Sequence, residues 1–447
     1  MTTCPATSPP LVPARAAPAA RAGRPDRAAL LDRVARAAAV WTDRQARLRR
    51  AEMPIPAGVA YLAQLLAHDL PPTRPDAVPT PGAAAIRAAL RLDSLYGDGP
   101  AADPHLYAPA PDGGAPEGRF RMGALPGGPA GSDHWLAPRD DGPWRARRPV
   151  LADPLNDSHF LISQLTLVWM RFHNAVLEAL GPAPDAAARA RRFDRARAAV
   201  QATWLNVIEA DVLPGLCGPA PSPAVPPPAA ASSRRPARGP VPAPTDPATL
   251  VQVLLRACHA LPRHDYRLRP GHRTVGLDAL RDFRFGAGRA PFDSWSPDWG
   301  LFFDLAGGRA ANRTAFLPGA ISALTFCGRP VAALDQSRAE ALGLGPLAAP
   351  FPAVVPAAAL SCWLTAIGAE ARDARALTRD PPPALLLQLE AHRHGGLLGP
   401  VGAGMLHAGL APLIAAARAV AAPADPAVTC GRFAEVLQRA GALPAVP

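Results

Sequence analysis

The chain has 447 residues, of which 49% are apolar and 19% are charged, so it can bury a sizeable core. All 47 basic residues are arginine, and the first 50 residues hold ten arginines against three aspartates, which leaves the rest close to neutral. No basic motif is interleaved with aromatic residues, which argues against specific nucleic-acid binding. The six cysteines form no C-x-x-C pair, which argues against a zinc site or a redox dithiol and favours a reducing compartment.

The N-terminal segment, residues 1 to 26, is rich in Ala, Pro and Arg and is expected to be a disordered arm. Pro, Arg and Asp interrupt residues 5 to 33, so no apolar stretch typical of a secretory signal is present. Residues 395 to 417 carry no charge, but glycines and prolines interrupt them, so we expect buried interior and no membrane span. These features favour a cytoplasmic localisation.

Helical spacing of apolar residues occurs in four segments, namely residues 27 to 41, 56 to 72, 159 to 180 and 200 to 216. The third segment has one apolar stripe that is expected to pack deeply, formed by Leu161, Leu165, Val168, Phe172 and Val176. Strand signals are short and isolated. The sequence therefore predicts a mainly α fold in a single large domain. Residues 218 to 247 are rich in Pro and Ala and are expected to be a loop or linker.

Six segments resemble, in chain order, the motifs of one family. They are IPAGVAYLAQLLAHDL (55 to 70), LRLDSLYGDGPAADPHLY (90 to 107), DPLNDSH with MRFHN (153 to 174), DFRFGAGRAPF (282 to 292), WGLFFDL (299 to 305) and LLGPVGAGMLHAGLAPLI (397 to 414). These segments are similar to those of the bacterial branch of the animal haem peroxidase superfamily. The resemblance implies that family's helical fold, with a distal half at residues 27 to 217. It also implies a proximal half with C-terminal helices at residues 248 to 447.

The same resemblance implies which residues would surround a haem. His68 stands at the position of the distal base, which shuttles a proton between the two oxygens of peroxide. Leu155 stands where the family has an arginine, and Ser158 where it has a glutamate, in its Asp-Pro-Arg-Asn-Asp-Glu-Asn segment. Ala287 stands at the position of the proximal histidine, and it offers no lone pair to iron. The residues that the family uses for chemistry are therefore mostly replaced.

Further replacements concern the carboxylates and a calcium site that the resemblance implies. Ala67 replaces the aspartate before the distal histidine, while Asp69 and Asp93 remain at calcium-binding positions. Arg87 and Arg91 stand where oxygen ligands are expected, and an arginine inside the shell of a hard dication repels it. We therefore expect no calcium. Separately, Asp335 aligns with the asparagine that orients the proximal histidine in the family.

Other side chains remain open as alternative iron ligands. His159 follows the lost glutamate by one residue, His264 and His272 precede the Ala287 segment, and Cys258 is a candidate thiolate. None of them occupies a position that the family uses for a ligand. His173, in the MRFHN motif, is expected to be a structural hydrogen-bonding residue.

Three hypotheses follow from these observations. The first is a haem peroxidase superfamily protein that has lost the proximal His, the catalytic Arg and the carboxylates, and is inactive as a peroxidase. The second is a haem-binding oxidoreductase, peroxidase or oxygenase-like, that uses His68 and a rewired iron ligand. The third is an unrelated α-helical binding protein. For all three, the partner is unknown, and a small molecule or another protein is the expected class.

Overall fold

The fold of the chain is mainly α-helical, as predicted. A computed structural model describes residues 26–48, 53–70, 90–110, 113, 116, 118–124, 150–218, 254–282, 295–305, 308–317, 325–326, 329–330 and 351–443. The helices are α1 (Arg27–Leu48), α2 (Ala57–Asp69), α3 (Asp93–Tyr96), α4 (Phe160–Ala179), α5 (Ala186–Val207), α6 (Leu213–Cys217), α7 (Leu277–Asp282), α8 (Ala357–Ala366), α9 (Ala371–Arg379), α10 (Pro383–Arg393), α11 (Pro400–Val420) and α12 (Phe433–Arg439).

The strands are short and form antiparallel pairs. Strand β1 (Ile55–Pro56) pairs with β4 (Arg313–Thr314), and Ile55 lies opposite Thr314. Strand β2 (Asp265–Tyr266) pairs with β3 (Val275–Gly276), and β5 (Thr325–Phe326) with β6 (Arg329–Pro330). The first pair matters for the site, because it ties the chain just before α2 to a segment far away in sequence.

Helix α4 lies at the centre of the molecule. The five residues of its predicted stripe are all buried, and so are most residues on its other faces. Trp169 packs edge-on against Trp204 of α5, with ring centroids 5.3 Å apart, and against Phe433 of α12 at 5.8 Å. The helix begins where the Nδ1 atom of His159 accepts a hydrogen bond from the Leu161 amide at 3.1 Å. A helix buried this completely fixes the position of whatever its two ends carry.

The predicted boundaries hold at two helices and fail at the start of α5, while α1 begins at Arg27 as predicted but continues past residue 41 to Leu48. Segments 56 to 72 and 159 to 180 correspond to α2 and α4, with ends shifted by one to three residues. The segment predicted from residue 200 is instead the end of α5, which begins at Ala186. The first half of α5 is rich in arginine, so no apolar stripe marks it in the sequence. The Asp185 side chain accepts from the Ala188 amide at 2.7 Å and starts the helix. A π-helical turn, Ile208–Val212, then joins α5 to α6.

Helix α2 approaches a neighbouring segment so closely that one position requires glycine. The Gly58 amide donates to the Phe302 carbonyl at 2.8 Å, and a Cβ atom at Gly58 would lie 2.3 Å from the Phe303 ring. No side chain fits there without displacing the ring. The start of α2 is therefore fixed by backbone contact.

Helix α11 is only partly buried, although residues 395 to 417 were predicted to be interior. One face, with residues such as Met405 and Leu410, is buried, while the opposite face is exposed, because the helix packs on one side only. By length and composition alone α11 could cross a membrane, and 44% of its most apolar window is buried. A core helix of a soluble protein passes the same test, so this is weak evidence, and the absence of a membrane span stays a prediction.

The domain predictions are only partly covered by the described residues. Buried apolar residues from both predicted halves, from Leu30 to Ala440, pack into one cluster. Residues 1 to 25 of the predicted arm and 219 to 247 of the predicted linker lie outside the described residues. The peroxidase-like arrangement of the helices remains a prediction.

Candidate functional site around His68

His68 lies in the last turn of α2 and is held from one side by Asn156. Its Nδ1 atom is 2.9 Å from the Asn156 Oδ1 atom, and the Asn156 Nδ2 atom donates to the Ser94 carbonyl at 3.1 Å. Since the amide nitrogen faces a carbonyl, the Asn156 oxygen must face the histidine. The Nδ1 atom of His68 therefore carries the proton and donates it. The Nε2 atom is left with a lone pair, and it has no hydrogen bond to any described residue.

Burial lowers the pKa of His68 to about 4. The ring keeps part of its surface accessible, but protein atoms surround it densely enough to penalise the charged form. The hydrogen bond to Asn156 raises the pKa, while electrostatic interactions with His259 and Arg256 lower it further. His68 is therefore a neutral imidazole at neutral pH. Its Nε2 atom can accept a proton or donate its lone pair to a metal.

The DPLNDSH segment folds as a short 3-10 turn, Pro154–Asp157, that sorts its side chains. The Asp153 side chain accepts from the Leu155 amide at 2.9 Å, and burial raises the pKa of Asp153 to about 6. Asn156 points inward and is fully buried, whereas Leu155 is 46% exposed. Ser158 closes the turn and is half-buried. The position that the resemblance assigns to a catalytic arginine therefore carries an exposed apolar side chain.

Asp69, next to His68, is buried and only half satisfied. Its Oδ2 atom accepts from the Leu92 amide at 3.0 Å and from the Trp204 Nε1 atom at 3.2 Å, while Oδ1 has no hydrogen-bond partner among the described residues. Burial raises the pKa of Asp69 to about 7, and the nearby charge of Asp93 adds to the effect. Asp69 therefore keeps its proton to a much higher pH than an ordinary aspartate does.

Arg91, which was expected to intrude into a calcium shell, is exposed, and its carbonyl accepts a hydrogen bond from the Gln201 Nε2 atom at 2.6 Å. Arg87 lies outside the described residues. Among the residues that are described, no group of three His, Cys, Asp or Glu side chains converges on a point that could hold a metal ion. The absence of calcium stays a prediction. Ala67, in the last turns of α2, is half-buried.

The four side chains left open as alternative iron ligands are a helix cap, two exposed histidines and a buried thiol. His159 caps α4 and stacks on Tyr61 with ring centroids 5.4 Å apart, and both His264 and His272 are exposed. Burial raises the pKa of Cys258 far above its usual range, so its thiolate is strongly disfavoured. None of these four side chains is in hydrogen-bond contact with His68.

His173 is a structural residue, as expected. Its Nε2 atom donates to the Gly118 carbonyl at 3.0 Å, so its Nδ1 atom accepts from the Tyr96 hydroxyl at 2.9 Å. The ring is fully buried, and desolvation lowers its pKa to about 3. Both nitrogens are occupied, so this ring has no lone pair left for chemistry.

Ala287 and Asp335, like Arg87, lie outside the described residues, so the relation of Ala287 to His68 stays a prediction.

Sequence reasoning missed the side chains that set the state of His68. Asn156 stands inside the DPLNDSH segment, but nothing in its spacing indicated that it would meet a histidine 88 residues earlier. His259 lies in the turn Cys258–Ala260, which packs against α2, and Arg256 lies in the helical turn just before it. Contacts between such distant segments have no local sequence signal.

Comparisons with known proteins add no family assignment. No family model matches the chain, and no curated protein matches it either.

Proposed function

We propose that this chain is a peroxidase-inactive member of the animal haem peroxidase superfamily. The observation that carries the proposal is Leu155. Its apolar side chain is 46% exposed on the turn that the resemblance equates with the arginine-bearing segment. Breaking the O–O bond of peroxide develops negative charge, and a cation fixed beforehand stabilises that charge. Leu155 supplies no charge, and Ser158 supplies no carboxylate.

The proposal also explains why the surrounding scaffold is well packed. Helix α4 is buried on nearly all sides, and His173 is hydrogen-bonded at both ring nitrogens. Loss of catalysis removes the need for particular charged residues, whereas a helix in the core must still pack. Under this proposal the protein binds a partner instead of catalysing a reaction, and the partner is a small molecule or another protein.

A second candidate is a haem-binding oxidoreductase, and the geometry of His68 favours it. A neutral imidazole whose Nδ1 atom donates to an amide oxygen has the form that metal-bound histidines adopt. His68 would hold the iron of a haem through Nε2, and the iron would supply redox chemistry when bound. The haem would then be bound from the His68 side alone or with a second ligand other than Ala287, which has no lone pair.

Reconstitution with haemin separates the two candidates. The absorption spectrum of the purified full chain with haemin is compared for the wild type, His68→Ala and His407→Ala. His407 is an exposed histidine on α11, so its substitution is the matched control. A Soret band that is lost in His68→Ala and kept in His407→Ala would support the haem-binding candidate. A spectrum identical to that of free haemin in all three proteins would exclude it.

Peroxide turnover tests the main proposal directly. We expect the wild type with haemin to oxidise a phenolic reporter no faster than free haemin does, because no fixed cation occupies the Leu155 position. Turnover clearly above free haemin that is abolished in His68→Ala would overturn the proposal.

A further inference from the structure

A cavity of about 450 Å³ lies on one face of the first half and middle of α4, and His68 is not among its lining residues. Gln164, Leu167, Val168 and Arg171 of α4 line one wall, and their spacing places them on a single helix face. The remaining walls are residues 269 to 272, 296 to 299 and 441 to 443. A volume of this size falls within the range of about 300 to 1,000 Å³ that small-molecule sites occupy.

Two arginines line this cavity, and among the described residues neither of them is paired with a carboxylate. Within the part of the chain that the structure describes, the Arg171 guanidinium makes no ion pair and no hydrogen bond. Arg269 makes one bond, from Nε to the Ser296 carbonyl at 3.2 Å. By contrast, Arg313 pairs with Asp304 at 2.6 Å.

Arg171 is also partly removed from water. It lies on α4 between two buried residues and is itself half-buried, and desolvation lowers its pKa. A half-buried cation without a counter-charge is unfavourable, and an anion that enters the cavity would relieve it. The cavity therefore has both the space and the unmet charge that an anionic ligand needs.

The other lining residues narrow the class of ligand. Asp298 is the one acidic residue among the described lining residues, and its Oδ1 atom already accepts from the Gly300 amide at 2.9 Å. Two arginines against one carboxylate leave an excess of one positive charge, which matches a monoanion better than a dianion. His272 adds a further polar group at the exposed rim. The remaining lining is mixed: Pro270, Pro297 and Leu443 present apolar surface, Leu167, Val168 and Trp299 are buried at the wall, and Gln164 and Ser296 add polar groups.

We infer that this cavity binds a monocarboxylate with an apolar body, whose carboxylate lies against Arg171 and Arg269. The planar guanidinium matches the geometry of a carboxylate, and two of them can share its oxygens. The apolar body then covers Pro270, Pro297 and Leu443, the accessible apolar residues of the lining. This inference is independent of haem, because His68 does not line the cavity and none of the lining residues is hydrogen-bonded to it.

Calorimetric titration of the full chain with sodium octanoate tests the inference. 1-Octanol serves as the neutral control and inorganic phosphate as a second anion. We expect octanoate to bind at one site and octanol not to bind. Arg171→Gln and Arg269→Gln should each weaken octanoate binding by about tenfold or more. Arg372→Gln, which removes the same charge from an exposed arginine on α9, should leave the affinity unchanged.

A further variant tests the same site without changing either arginine, so its result does not depend on whether the arginine variants fold. Ala442→Trp fills the cavity from its edge while both arginines remain, so it should abolish octanoate binding. Failure of octanoate to bind the wild type, or undiminished binding in both arginine variants, would overturn the inference. Phosphate binding more tightly than octanoate, with the same dependence on Arg171 and Arg269, would overturn the assignment to a monocarboxylate.

Discussion

His68 and His173 are both imidazoles whose pKa values are lowered by burial, to about 4 and about 3, yet their hydrogen bonds differ. His173 donates from Nε2 to Gly118 and accepts at Nδ1 from Tyr96, so both nitrogens are occupied. His68 donates from Nδ1 to Asn156, so it is the opposite tautomer, with its Nε2 lone pair left over. A lowered pKa alone therefore does not distinguish a functional histidine from a structural one. Accounting for each ring nitrogen does.

The surroundings of the two rings show the same difference. His173 contacts the rings of Tyr96, Phe120 and Phe193, with centroids 5.3, 5.0 and 5.6 Å away. His68 is instead influenced by the charges of Arg256 and His259 and lies beside the half-satisfied Asp69. His173 is enclosed by aromatic rings, whereas the His68 Nε2 atom and the Oδ1 atom of the adjacent Asp69 have no hydrogen-bond partner among the described residues.

The largest expected effect is on stability. His173→Ala should lower the free energy of unfolding by about 5 kcal/mol, because it empties a fully buried site and strands two hydrogen-bonding groups. His68→Ala should cost about 1 kcal/mol, since that ring is half-buried and makes one hydrogen bond. Urea unfolding followed by circular dichroism measures both. Equal losses in the two variants would break the comparison.

The next effect concerns Asp69 and has a definite sign with pH. Its folded-state pKa of about 7 lies above the usual 3.8, so the folded state binds the proton more tightly than the unfolded state does. The stabilisation is present below about pH 4 and is lost as the pH rises to about 7, a change of about 4 kcal/mol.

Asp69→Asn should remove this pH dependence. The difference in unfolding free energy between the variant and the wild type should grow from pH 4 to pH 8 in favour of the variant, as urea unfolding at each pH would show. The same substitution at the exposed Asp278 controls for the lost charge. A constant difference between wild type and Asp69→Asn across this range would contradict the raised pKa.

The smallest effect is on the tautomer of His68. Asn156→Leu removes the acceptor that holds the proton on Nδ1, a change of about 1 kcal/mol, or about fivefold in the ratio of the two tautomers. The ¹⁵N chemical shifts of the ring report the change. His173 should keep its proton on Nε2 and is the internal control. Finding the proton of His68 on Nε2 in the wild type would refute the assignment.

Much of the fold was predictable because its signals are local. The apolar stripe on α4, from Leu161 to Val176, is buried as its spacing predicts. The start of α5 at Ala186 was missed, because arginines mask the helical period there and Asp185 alone marks the cap. The exposure of one face of α11 was also missed, since an uncharged helix gives no indication of which side packs.

The site was less predictable, and its residues show why. His68 was identified as a site residue only through the resemblance to a family, because a single histidine on a helix does not by itself indicate a functional site. Its proton position depends on Asn156, whose own orientation depends on Ser94, 62 residues earlier in the chain. The outward direction of Leu155 and the inward direction of Asn156 come from one 3-10 turn capped by Asp153. Leu155 and Asn156 therefore face opposite directions because of the turn, and the spacing of apolar residues in the sequence does not predict this.

By itself, the sequence determined the helical class, the ends of helices α2 and α4 to within three residues, and the buried stripe of α4. These follow from the period of apolar residues and from caps and prolines, which act within a few residues. Only the tertiary structure decided that His68, unlike His173, keeps a lone pair on one ring nitrogen, and that Arg171 and Arg269 line the same cavity. Desolvation and hydrogen-bond satisfaction depend on groups that meet only when the chain is folded, so they are not encoded at any single position.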